Sequence, residues 1–463
     1  VEESLVQHLK TALKEDDERT EELLLGLVSH SEAKDPWFTN ERNQSIIYAL
    51  RTCRILDPAC GSGAFPMGIL QTMIRIWDRL DPVGDDTEIY KRKLELIEKC
   101  IYGVDIQPVA VQISKLRCFI SLLAEDEVEE DKPNRGIESL PNLEMHFVAA
   151  NSLIGVKLPN DLGSNTKISV LQDKLKNNRH KLFLAKKASQ KKAAKKTDEK
   201  LRAELSEQLV KLATEPDEDL IVAMEKEIEA YRRDRKPYEA EKWVDPTEGP
   251  RQKEMFEKPK VRQGSLLLHD ANKSMRQQYD RKVADCQARI ATERDKVNNT
   301  GFLAEAEKLA RWNPFDQTLA SPFFYMEWMF GIKDGFDVTI GNPPYVRDDE
   351  QSEWNQSQRQ AILHSGYYET LWEKWDLFVA FIERAYKLLK PEGVSTLIVS
   401  DAYCHSKYAQ KSQEWFLSNA RVLRLDFLGE LMVFDAAVHN VIYFFQRCRG
   451  TNHRPVRRSH SGE

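Results

Sequence analysis

Apolar positions in the first third of the chain switch between helical spacing and short continuous runs. Residues 2–28 place leucine and valine every three or four positions, the pattern of a helix with one buried face. Residues 54–56 then predict a short buried strand, 65–80 a helix, 81–99 an additional helix, 100–104 a second strand, 108–123 a helix and 143–149 a third strand. Strands separated by helices in this way form parallel, doubly wound α/β sheets. The pattern breaks at 155–334, where long charged segments contain few aromatic residues before Trp312. That stretch predicts two or more long solvated helices, interrupted at 236–262 by Pro237, Pro246, Pro250 and Pro259. Strands resume at 336–340, 394–399, 422–428 and 438–445, with helices at 376–389 and 413–420, for a total of about seven strands. The second half is expected to rejoin the first sheet. The chain then divides into an N-terminal helical segment (1–50), two halves of one α/β domain (51–155 and 335–450), a charged helical insertion (156–334) and a basic tail (451–463).

Composition narrows the functional classes. With 463 residues, 41% of them apolar, the chain has material for a sizeable core. No apolar run reaches membrane length and no charged-then-apolar leader stands at Val1, so a soluble, cytoplasmic protein with no membrane partner is expected. Seven cysteines, none spaced as CxxC, and ten histidines with no HxxxH pair point to neither a disulfide framework nor a metal site. Lys+Arg 68 against Asp+Glu 74 gives a net charge of −6, which excludes a uniformly basic coat and leaves nucleic acid to a local patch. The crowded lysines between Lys186 and Lys200 are one candidate, since clustered cations gain sequence-independent affinity by counterion release.

Three loops, each at the end of a predicted strand, carry candidate chemistry. The first is Asp57-Pro58-Ala59-Cys60-Gly61-Ser62-Gly63-Ala64-Phe65, where Gly61 and Gly63 permit a tight turn and close approach of a ligand to the following helix start. Pro66 stands where the dinucleotide-binding GxGxxG pattern has its third glycine, so dinucleotide binding is disfavoured. Asp105, in Gly103-Val104-Asp105-Ile106-Gln107-Pro108, ends the second strand, where a carboxylate can accept from ribose hydroxyls or cap a helix. Gly341-Asn342-Pro343-Pro344-Tyr345 follows the fourth strand. Its prolines fix the backbone and remove two amide donors. The Asn342 side-chain oxygen and the Pro343 carbonyl can then accept both hydrogens of an amino group on a flat ring, with Tyr345 stacking on that ring.

With these three motifs in this order, the chain resembles the gamma-class S-adenosylmethionine-dependent adenine-N6 DNA methyltransferases of restriction–modification and phage-defence systems, of type IIG or BREX-like kind. DPACGSGAF resembles their methionine-binding turn, GVDIQPVAVQISKLR their ribose-binding motif and NPPY their catalytic motif. Asn151-Ser152-Leu153 is similar to a segment beside the cofactor's adenine that often reads Asp-Ser-Leu. The stretch Gly429 through Phe434 is similar to one whose phenylalanine stacks on the far face of the extruded base. The resemblance implies a Rossmann-like methyltransferase fold and S-adenosylmethionine held by Asp57, Pro58, Ala59, Gly61, Gly63, Phe65, Asp105, Ile106, Asn151 and Ser152. Asn342, Pro343, Pro344, Tyr345 and Phe434 would serve the reaction on double-stranded DNA. No aromatic-Thr-Pro segment precedes the first motif and nothing resembles a target-recognition domain, which implies a portion of a larger polypeptide or a separate specificity or nuclease subunit.

The implied reaction is direct attack of an adenine N6 lone pair on a sulfonium methyl, with no covalent enzyme intermediate; Cys60 is expected to be packed and not a nucleophile. A protein-glutamine or RNA-base methyltransferase could use the same NPPY loop, and an idle nucleic-acid-binding scaffold could retain the fold. The intact Asp57, Gly61, Gly63, Asp105 and Asn342 weigh against the scaffold.

Overall fold

Short continuous apolar runs become strands buried on both faces. The computed structural model describes residues 1–29, 35–125, 131, 135, 140–156, 166–214, 218–238, 263–294, 300–346, 353–429, 439–448 and 457–460. Its strands are β1 (Ile55–Asp57), β2 (Ile101–Asp105), β3 (Phe147–Ala149), β4 (Phe336–Gly341), β5 (Leu389–Ser400), β6 (Arg421–Phe427), β7 (Asn440–Gln446) and β8 (Arg457–His460). They join in one sheet of order β3-β2-β1-β4-β5-β7-β6-β8. Every neighbouring pair is parallel except those involving β7, which runs antiparallel between β5 and β6. The fold is therefore a doubly wound, mostly parallel α/β sheet. Seven strands match those expected, and β8 adds a short edge strand from the segment expected to be a tail.

The connectivity fixes where a ligand can sit. From β1 the chain steps outward to β2 and β3, and β4 then returns on the other side of β1. The loops leaving β1 and β4 diverge at that switch point, opening a crevice beyond the carboxyl ends of the strands. Helices Ala64–Leu80, Asp86–Cys100 and Pro108–Leu123 follow the first strands, and Glu2–Leu13, Glu18–Ser29 and Asn40–Thr52 precede them. Leu5, Leu9, Leu24, Ile46, Leu50, Ile69, Leu70 and Met73 from these helices close the main core against Ile55 and Ile101. A second core, centred on Phe378, Phe416, Tyr443 and Phe445, lies on β5, β6 and β7. Among the described residues no helix is long and apolar enough to cross a membrane.

The charged middle of the chain is divided where composition gives no sign of it. Two compact units form: Val1–Lys157, Val170–Arg202 and Arg311–Glu463 make the sheet-bearing unit, and Leu158–Ser169 with Ala203–Ala310 make the other. In the second unit, helices Glu218–Arg235 and Gln263–Arg294 run antiparallel, with Arg235 on Asp280 (2.8 Å) and Arg294 on Glu225 (3.0 Å). Ile221, Met224, Ile228, Cys286 and Ile290 form their seam. Residues 170–202 and 311–334, expected in the insertion, belong with the sheet. The physical reason is a buried charge cluster. Asp198 is fully buried and accepts from Arg179 Nε (3.2 Å) and Arg202 Nε (2.7 Å), while the two guanidiniums also donate to the carbonyls of Trp328 (2.7 Å) and Trp312 (2.8 Å). The lysine-rich run is anchored nearby: Lys191 donates to the Leu140 carbonyl and Lys195 pairs with Glu144, both on the segment leading into β3. These two lysines thus lie toward the amino end of β3, away from the crevice.

Removing one member of a buried charge cluster leaves the others uncompensated. Asp198→Ala should destabilise the sheet-bearing unit by about 3–5 kcal/mol, seen as a lower urea midpoint in near-ultraviolet circular dichroism; an unchanged midpoint would contradict that role.

Candidate active site

The three candidate loops meet at the carboxyl ends of adjacent strands. Asp57 ends β1, and its turn is built from backbone bonds: Cys60 N donates to the Val104 carbonyl (2.9 Å) and Gly63 N to the Cys60 carbonyl (2.8 Å). Gly61 and Gly63 have φ of +52° and +81°, a left-handed conformation that side chains other than glycine's resist. A Cβ at Gly63 would also stand 2.9 Å from Ser114 Oγ, which donates to the Gly61 carbonyl (2.9 Å). Pro58 is buried, Ala59 half-buried, and Phe65 packs partly against the main core. Cys60 is buried and its thiol is pushed well up by burial, as suits a packed residue.

Asp105, at the end of β2, accepts from Gly61 N and Gln107 N, both at 2.8 Å. One oxygen therefore fixes the first loop and the other fixes the start of its own helix, and each keeps an accepting site. The Asp105 carbonyl accepts from Ala150 N (2.9 Å), which ties in the end of β3. Asn151 and Ser152 are buried just beyond. Ile106, Gln107, Pro108, Val109, Asn151, Ile154, Ala320, Ser321, Pro322, Gln358 and Ala361 line a cavity of about 820 Å³. A cavity of about 850 Å³ lies at the opposite end of the strands, lined by His8, Thr11, Tyr48 and Asp337 among others. It contains none of the motif residues, and α/β sheets bind ligands beyond their carboxyl ends.

Gly341 joins the third loop to the first. A Cβ there would fall 2.7 Å from Asp57 Oδ1, so the backbone leading into Asn342 lies directly against the Asp57 carboxyl group. Asp57 Oδ1 accepts from Ala59 N (3.0 Å), while Oδ2 is buried without a hydrogen-bond partner. Desolvation pushes this carboxyl up to about 8, against the Ala59 amide, which lowers it; Asp105 adds a smaller upward push. A buried acceptor left in this state fits the ammonium end of an amino-acid ligand. Asn342 is half-buried, Pro343 buried and Pro344 exposed.

The Tyr345 hydroxyl stands 2.9 Å from Asn342 Oδ1 and 3.1 Å from the Ile398 carbonyl, with one proton to serve either. Its ring packs edge-on to Phe378 at a centroid distance of 6.3 Å. Tyr345 thus holds Asn342 in place, a task the sequence does not announce. Asp376 Oδ1 accepts from Val346 N (3.2 Å) and fixes the backbone beyond the prolines; burial pushes its carboxyl up to about 6. Arg384 was also not foreseen. Buried on helix Leu377–Leu388, it donates to the carbonyls of Ser152 (2.8 Å) and Phe324 (3.1 Å) and holds the loop after β3. A lone arginine in the apolar run FVAFIERAYKLL was its signal. Phe434 lies outside the described residues.

Residues 99–434 match the Eco57I restriction-modification methylase family. The chain belongs to that family. It is 28% identical over 360 residues to RM.MjaORFECS2P of Methanocaldococcus jannaschii, whose name pairs a type II restriction enzyme with a methyltransferase; the match covers 76% of this chain and 26% of that relative. The type II methyltransferase M.BstVI of Geobacillus stearothermophilus is 33% identical over 88 residues, covering 19% of this chain and 15% of its own. The adenine-specific methyltransferase PglX of Streptomyces coelicolor is 28% identical over 103 residues, 22% of this chain and 8% of its own. The chain therefore spans about a quarter or less of each of these three relatives.

Gly341→Ala should force the Asp57 carboxyl or β4 to shift, at about 1–3 kcal/mol for an overpacked buried contact. Chemical denaturation checks this, and full stability in the variant would show that the two loops do not touch.

Proposed function

We propose that this chain is the methylation centre of a restriction–modification or phage-defence enzyme, transferring a methyl group from S-adenosylmethionine to N6 of an adenine turned out of double-stranded DNA. The observation that carries the reading is the Gly341 backbone against the half-partnered Asp57 carboxyl, which brings the ligand-holding and amine-binding loops to one point. Family membership supports the same chemistry.

When bound, S-adenosylmethionine supplies an electrophilic methyl on a sulfonium whose thioether leaves readily. The chain's own residues do the positioning. Asp57 Oδ2 accepts from the ammonium of the amino-acid end, the accepting sites left on Asp105 take ribose hydroxyls, and the Asn151 cavity takes the base. Pro58, Ala59, Gly61, Gly63, Phe65, Ile106 and Ser152 shape these walls. Asn342 Oδ1 keeps one lone pair beside the Tyr345 hydroxyl, and with the Pro343 carbonyl it accepts from the target amine and turns its lone pair toward the methyl. Pro344 holds the loop rigid. Tyr345 keeps Asn342 oriented and, with Phe434, gives the extruded base aromatic contact that offsets part of an extrusion cost of a few kcal/mol. Sequence recognition and any cleavage fall to further domains or to specificity or nuclease subunits. The setting is the bacterial or archaeal cytoplasm.

Asn342→Ala should lower methyl transfer about 10²–10³-fold and leave the S-adenosylhomocysteine dissociation constant within about threefold. Labelled cofactor offered to DNA, RNA and protein in parallel checks the substrate; label on protein alone would overturn the DNA reading. Binding should also depend on pH. Free Asp57 is mostly protonated at pH 7 and must lose its proton to pair with an ammonium, so affinity should rise from pH 6 to about 8. Calorimetric titration should show that slope flattened in Asp57→Asn, and equal slopes in both proteins would remove Asp57 from ligand binding.

A further inference from the structure

One wall of the 820 Å³ cavity pairs Asn151 with a residue that belongs to none of the sequence motifs. Asn151 is buried, and its amide orientation is set by two partners: Oδ1 accepts from Leu153 N (3.1 Å), and Nδ2 donates to Gln358 Oε1 (2.6 Å). Gln358 lies on helix Glu353–His364. Its neighbour Arg359 anchors that helix by donating to the carbonyls of Trp375 (2.5 Å) and Val346 (2.9 Å).

Because Oε1 faces Asn151, the orientation of the Gln358 amide is settled too. The group left for a ligand is Nε2, a donor, and Asn151 Oδ1 keeps one accepting lone pair. The cavity wall therefore offers an acceptor and a donor among Ile106, Ile154 and Pro322. That pair complements the edge of adenine, whose amino group donates and whose N1 accepts. It mismatches hypoxanthine and guanine, in which O6 accepts and N1–H donates.

We propose that Gln358 is a specificity-determining residue for the adenine of the cofactor, with Nε2 donating to N1 while Asn151 Oδ1 accepts from N6. The assignment rests on the proposed cofactor reading and deepens it. It gives the helix beyond Asn342-Pro343-Pro344-Tyr345 a share in a pocket otherwise lined by the segments that follow β2 and β3 and by residues 320–322.

The test is calorimetric titration of the folded chain with S-adenosylhomocysteine and S-inosylhomocysteine. Wild-type protein should bind the adenosyl ligand at least tenfold more tightly, since a donor facing a donor leaves both unsatisfied. Gln358→Ala should weaken adenosyl binding about tenfold and inosyl binding less than threefold. Gln358→Glu keeps an acceptor for Asn151 Nδ2 but replaces the leftover donor with an acceptor, so it should narrow the preference further. Adenosyl affinity and preference unchanged in both variants would overturn the assignment and leave the cofactor reading standing. Wild-type protein that takes up neither ligand would overturn both.

Discussion

Burial of the Asp57 carboxyl group at the point where the strand order reverses is the constraint around which the site is organised. Water is excluded there by β1, its turn and the adjacent β4, and the protein supplies one backbone amide to one oxygen while the other has none. A buried acceptor without a partner costs roughly 1–3 kcal/mol, and burial pushes the carboxyl up to about 8, since protonation relieves part of the cost of desolvating its charge. The same crowding dictates glycine at 341, because a Cβ would fall 2.7 Å from Oδ1. The first and third loops are thus bound to each other by sterics, and a ligand that completed the hydrogen bonding of Asp57 would lie beside Asn342. The unfilled acceptor is a local destabilisation that a cationic ligand would remove.

The strands and the loops were legible in the sequence for one reason. Strands buried on both faces are short, uninterrupted apolar runs, and the residues that end them (Asp57, Asp105, Asn342) interrupt those runs abruptly. Boundaries were less legible. The strand expected at 394–399 begins at Leu389, because Lys390-Pro391-Glu392-Gly393, which reads as a turn, continues the ladder through a register shift against Phe336, with Glu392 at φ +66°. What holds the loops was scarcely legible, the place of Arg384 in an apolar helical run being the one signal. Ser114 on the Gly61 carbonyl, Arg384 on the Ser152 carbonyl and Gln358 on Asn151 join residues 53, 232 and 207 positions apart. No local period or spacing encodes such partners, and each stands on a helix whose pattern explains only its apolar face.

The charged stretch illustrates the limit of composition in a different way. Its lysines suggest a polyanion, yet Lys191 and Lys195 are tied to the segment entering β3, near the amino end of that strand. Positive charge there acts at a distance on anything approaching the opposite end, and such effects are screened beyond about 8–10 Å at physiological ionic strength. The Asp198 cluster gives the neighbouring arginines a structural occupation as well. A charge run is a statement about solvation until its geometry is known, and here the geometry directs part of it into packing.

A last consequence follows from where the segment between β4 and β5 goes. Tyr367 and Tyr368 donate to the carbonyls of Val156 and Leu153, Gln358 meets Asn151, and Arg384 grips Ser152 and Phe324. Each of these residues comes after Asn342 in the chain, and each holds the loop that follows β3. The same segment holds Val346 through Asp376 and Arg359. One block of structure therefore grips the backbone beyond Tyr345 on one side and the wall of the cavity on the other. The two halves of the site therefore share supports. Changes in the supporting residues should then alter ligand affinity and turnover together, whereas a change at Asn342 itself acts on turnover alone, because its side chain supports nothing on the cavity side. In this fold the support common to the two loops comes from the segment between β4 and β5, which reaches back across β1 to the loop after β3, an arrangement set by strand order and independent of the motifs.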